Sequence, residues 1–143
     1  MAEKWKYVYS LDGGNTPPPI KDLPLAGSQT IVKGDLLDGA SGFLALAADA
    51  TPNIIGIAME AATSSTEGDL LKVAVLSDTH VIRGTADADA TAIRFGATTY
   101  DINVTTQTLD VGDSSAGCLQ VVGVDVPAGS SGGLTVDCRV IRV

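Results

Sequence analysis

From Gly27 onward the chain alternates short apolar runs with turn residues at close spacing, a pattern that predicts an all-β fold. The expected architecture is a small barrel or sandwich of short antiparallel strands. Candidate strands cover Ser28 to Val32, Asp35 to Leu37, Phe43 to Ala47, Asn53 to Met59, Asp69 to Leu76 and Thr79 to Arg83, with Gly34, Gly39, Gly42, Pro52 and Gly68 between them. Further candidates are Tyr100 to Val104, Thr108 to Val111, Cys118 to Val126 and Leu134 to Val143. In the last of these, Leu134, Val136, Cys138 and Val140 share one face and Thr135, Asp137 and Arg139 the other, as a half-buried antiparallel strand requires. The Ala-rich run Thr85 to Ile93 allows at most one short helix, with Thr85 or Asp87 as its N-cap.

The sequence Gly-Asp-Leu-Leu occurs twice, at Gly34 to Leu37 and at Gly68 to Leu71. Its flanks differ, so it reads as recurring turn chemistry rather than as a structural repeat. Pro127 to Gly133 reads as the hairpin loop joining the last two strands. If that loop sets residue 126 opposite residue 134, Cys138 faces Val122 and Cys118 faces Arg142. The two cysteines are then roughly 13 Å apart at about 3.3 Å per residue, too far for a disulfide.

The front of the chain follows another pattern. Trp5, Tyr7 and Tyr9 occupy alternate positions that would share one strand face, with Lys4 and Lys6 beside them. Asp12 to Thr16 and the run Pro17-Pro18-Pro19 follow, where fixed φ and missing N–H groups exclude helix and interrupt a ladder. Residues 1–26 are therefore expected to be an extended N-terminal arm, and residues 27–143 a single β domain.

Composition narrows the function. Hydrophobic residues make up 45% of the 143 residues and charged residues 18%, a balance that excludes a disordered chain. The net charge of −8 disfavours sequence-independent nucleic-acid binding, which needs cations to displace phosphate counterions. Residues 1–34 carry four Lys against Glu3, Asp12 and Asp22, a net +1 that leaves −9 on the remaining 109 residues. No window reaches the roughly 18 uninterrupted apolar residues of a membrane span, and the opening MAEKWKYVYS lacks the apolar segment of a secretory signal, so no membrane partner is expected.

Candidate chemistry is sparse. The one histidine, His80, follows Ser77-Asp78-Thr79, but no GxSxG elbow accompanies it, and a polar turn role is favoured over a Ser/His/Asp site. His80, Cys118 and Cys138 are too few and too scattered for zinc. Asp87, Asp89, Asp110 and Asp113 are hard ligands near turns without calcium-loop spacing and read as solvated. Gly112 to Gly117 and Gly129 to Gly133 lack the Lys and helix of a phosphate loop. The expectation is a protein without catalytic residues, cofactor or metal, whose contact-forming residues are Lys4, Trp5, Lys6, Tyr7 and Tyr9, at a place where a monomer would tolerate fraying.

Five segments, KWKYVYS, GSQTIVKGDLL, NIIGIAMEAATSSTEGDLLKVAVL, TYDINVTTQTLDV and CLQVVGVDV, in this order, resemble the capsid decoration proteins of tailed phages, also called cement or head-stabilising proteins. The resemblance implies a small acidic β protein that binds the major capsid protein as a homotrimer on the outer capsid surface, lays its N-terminal arm on capsid subunits and cements the expanded head. It further implies a virion protein assembled in a host cytoplasm. The Pro17 to Pro19 run has no counterpart in that pattern. Another self-associating β protein, such as a tail, fibre, baseplate or shell component, is the alternative.

Overall fold

The computed structural model describes residues 4–11, 16–39, 42–47, 54–86, 99–103, 106–110, 118–124 and 134–141. They form eleven strands: β1 (Lys6–Ser10), β2 (Ile20–Pro24), β3 (Leu36–Asp38), β4 (Ala45–Leu46), β5 (Ile54–Ala58), β6 (Leu70–Val75), β7 (His80–Ala86), β8 (Thr99–Asn103), β9 (Thr108–Asp110), β10 (Leu119–Val124) and β11 (Leu134–Val140). The strands make two sheets, one in the order β1-β7-β11-β10-β8-β9 and the other in the order β2-β6-β5-β3-β4. The fold is all-β and sandwich-like. Among the described residues, pairing is antiparallel except for two parallel bridges, Ala86 to Leu109, which ties β9 to β7, and Leu25 to Leu44. Among the described residues there is no helix, and none long and apolar enough to cross a membrane.

Alternation along each strand sets the layers. Ile57 and Ala74 of the smaller sheet pack with Ile82, Leu119, Val136 and Cys138 of the larger one in the main core between the sheets. The residues next to them, Ala58 and Val73, belong with Leu25, Ile31, Leu37, Leu44 and Leu71 to a second cluster. Because neighbours in a strand point to opposite faces, the middle of the smaller sheet is buried on both sides, while Leu70 and Lys72 of β6 stay exposed. That explains why NIIGIA and LLKVAV are nearly continuous apolar runs.

The two Gly-Asp-Leu-Leu segments make the same turn. Gly34 and Gly68 have φ of 94° and 93°, a conformation that suits only glycine well. The Asp35 N–H donates to the Val32 carbonyl and the Asp69 N–H to the Thr66 carbonyl. Asp35 Oδ2 accepts from the Val32 N–H at 2.9 Å and Asp69 Oδ2 from the Thr66 N–H at 2.8 Å. Each carboxylate thus caps the residue three positions before it and launches the following strand.

Four expectations change. Residues 4–11 and 16–25 are woven into the body rather than standing off as an arm: β1 is the edge strand of one sheet, on β7, and β2 the edge strand of the other, on β6. The aromatics do not share a face, because a bulge between Tyr7 and Tyr9 breaks the alternation. Ser28 to Val32 forms a single bridge, Ile31 to Ala62, instead of a strand, since Ser28 adopts a φ of 61° that an extended ladder cannot hold. Thr85 and Ala86 continue β7 instead of opening a helix, and the rest of that candidate helix lies outside the described residues. The loops at 112–117 and 127–133 and Asp87, Asp89 and Asp113 also lie outside them.

The pairing of β10 with β11 keeps the expected register near the loop, with Gly123 opposite Asp137 and Val124 opposite Val136. A bulge between Val121 and Gly123 then shifts it by one, so that Cys138 faces Val121. Cys118 and Cys138 are both free and buried.

Edge strand β2 is bracketed by proline. The Pro19 carbonyl accepts from the Val75 N–H, and the Leu25 N–H donates to the Asp69 carbonyl. By antiparallel alternation the outward-facing backbone groups then belong to Pro18, Ile20, Asp22 and Pro24. The prolines have no N–H to offer, and the Pro24 carbonyl is already taken by Leu44 N–H.

Candidate functional site: the groove beside the N-terminal strand

The five residues expected to make contacts have separate fates. Trp5 is fully buried, its indole Nε1–H donating to the Gln107 carbonyl at 2.7 Å and its ring lying against Gly84, where any Cβ would collide with it. Lys4 Nζ stands 3.2 Å from Asp35 Oδ1, a buried oxygen with no hydrogen-bond partner, so this ammonium supplies its counter-charge. Tyr7 is half-buried; its hydroxyl meets Ser10 Oγ at 2.8 Å and its ring packs edge-on against His80 at 5.6 Å between centroids. Lys6 and Tyr9 are exposed.

The segment therefore spends Lys4, Trp5 and most of Tyr7 on its own fold and leaves Lys6 and Tyr9 for contact. Beside Lys6, a cleft of about 280 Å³ opens at the seam between the two sheets. Trp5, Lys6 and Tyr7 form one wall, Pro18 and Ile20 another, and Met59 a third. Apart from Lys6 and the Tyr7 hydroxyl the walls are apolar. Ile20 is 52% exposed and Met59 36%, so apolar surface extends from the cleft to its rim. Ile20 and Met59 escape sequence reasoning because a lone apolar residue beside prolines, or after an Ala-Met strand end, looks like any core residue.

Gln107 holds this region together from behind. It is buried, with φ of 55°, and its side chain accepts the Leu36 N–H at 3.0 Å and donates to the Ala47 carbonyl at 3.0 Å. One residue before β9 thus binds the other sheet at two points and Trp5 at a third.

His80 has the role of a turn residue. Its Nδ1 accepts the Ser77 N–H at 2.9 Å and lies 3.2 Å from Ser77 Oγ, which also meets Thr79 Oγ1 at 2.9 Å. In a Ser/His/Asp arrangement Nδ1–H would donate to the aspartate so that Nε2 acts as base, whereas here Nδ1 accepts a backbone N–H and, among the described residues, no carboxylate orients the ring. Burial pushes the Cys138 thiol far above the ordinary thiol range, with the neighbouring Asp137 charge adding to the effect. Among the described residues no three His, Cys, Asp or Glu side chains are grouped to hold a metal ion.

Comparison with protein-family models, with curated proteins and with solved structures finds no match to this chain.

Proposed function

We propose that this chain is a virion structural protein that binds the outer surface of a phage capsid and stabilises the head lattice. The observation that carries the reading is the open apolar cleft at the sheet seam, lined by Lys6, Ile20 and Met59, beside the N-terminal segment that the resemblance assigns to capsid contact. A rigid sandwich with an apolar recess, an exposed cation on its wall and an exposed aromatic, Tyr9, farther along the same strand suits docking onto a protein lattice, where aromatic anchors contribute most of the energy. In a homotrimer each subunit would add a modest contact, and three contacts made with one loss of translational freedom give tight cementing.

Truncating the N-terminus cannot test this cleanly, because removal of Trp5 empties the core. Surface substitutions can. The double variant Tyr9→Ala with Ile20→Asp, checked for native circular dichroism, is expected to weaken co-sedimentation with expanded phage heads lacking the protein by at least about tenfold. Unchanged co-sedimentation of the folded double variant, or failure of the wild type to bind heads, rejects the reading. Rings or filaments formed by the isolated protein would favour the alternative of a self-assembling tail or shell component.

A further inference from the structure

We propose that a second recess, between the β6–β7 turn and the end of β11, binds a small alkyl carboxylate through Arg139. This recess has a volume of about 270 Å³ and is lined by Ser77, Asp78, Arg139 and Ile141. The argument begins with charge pairing. Lys4, Lys72 and Arg83 each meet a carboxylate, from Asp35, Asp22 and Asp137, as expected in a chain with 17 acidic and 9 basic residues. Arg139 is held instead by two neutral acceptors: Nε donates to Gln120 Oε1 at 2.6 Å and Nη1 to the Asp78 carbonyl at 3.5 Å.

Gln120 is the cross-strand partner of Arg139, so the contact fixes the plane of the guanidinium against the ladder. Those two bonds use two of five N–H donors and leave the others in a rigid, half-buried fork. Such a fork matches the two oxygens of a planar carboxylate, and orienting it in advance lowers the entropy lost on binding. Ile141 supplies an apolar wall for the alkyl group attached to the carboxylate. Asp78, exposed at the rim, gives its carbonyl rather than its carboxylate to Arg139, and its negative charge selects a monoanion over doubly charged phosphate. His80, the remaining titratable group of the turn, keeps its Nδ1 on the Ser77 N–H.

The test is titration of the full chain with butyrate, acetate and inorganic phosphate at constant ionic strength, following the arginine Nε–H and Ser77 amide resonances by NMR. Butyrate and acetate are expected to move the Arg139 and Ser77 signals saturably, butyrate the more tightly, while Arg83 stays still and phosphate has little effect. Arg139→Lys, which keeps the charge and loses the fork, is expected to weaken butyrate binding about tenfold. Gln120→Leu, which frees the guanidinium without touching the ligand, should weaken it by a smaller factor. A linear response, an equal response to phosphate, or full binding by Arg139→Lys overturns the proposal.

Discussion

Single residues hold the two ends of this fold to its middle. Gly84 provides the slot that Trp5 fills, since any side chain there would occupy the space of the indole ring. Gly84→Ala is therefore expected to cost about 3 kcal/mol, at the upper end of overpacking penalties, measured by denaturant unfolding. Combined with Trp5→Leu, the two losses should be clearly less than additive, because either change removes the same contact. Additive losses would show that Gly84 acts elsewhere. Cys138 makes the opposite case, a reactive residue type made inert by place. Its thiol is buried and pushed upward in pKa, so thiolate is scarce at neutral and mildly alkaline pH. A disulfide reagent should label neither cysteine in the native protein at pH 8 and both after unfolding.

At the level of elements, much was legible. Strands β5, β6, β7, β9, β10 and β11 fall within a few residues of their expected limits, because alternation and Gly or Pro boundaries are local signals. The Gly-Asp-Leu-Leu turns were equally visible, their two glycines and two aspartates acting through contacts three residues away. Gln107 was not, since its partners Leu36 and Ala47 lie 71 and 60 residues distant and nothing in TTQTL marks a buried clamp. Gln107→Ala would strand a buried N–H and a buried carbonyl. The expected loss is about 2 to 4 kcal/mol, with faster amide exchange at Leu36, and normal exchange there would refute the clamp. The bulges at Tyr7–Tyr9 and Val121–Gly123 were hidden for a related reason: an extra residue in a strand leaves no mark on a local pattern.

For the whole molecule, the same distinction separates fold from site. The all-β sandwich follows from periodicity summed over the chain, whereas the cleft arises where residues 5–7, 17–20 and 57–59 come together across the seam. Aromatic clustering drew attention to a segment that lines the cleft, yet tertiary packing decided that Trp5 turns inward and Tyr9 outward. The proline-bracketed border of β2 bears on how copies of such a sandwich can meet. A neighbour seeking to extend that sheet would find only the Ile20 and Asp22 amides on offer, too few to zip a new strand into place. Copies brought close together would then not lengthen the sheet along this border, and any contact made there is left to side chains.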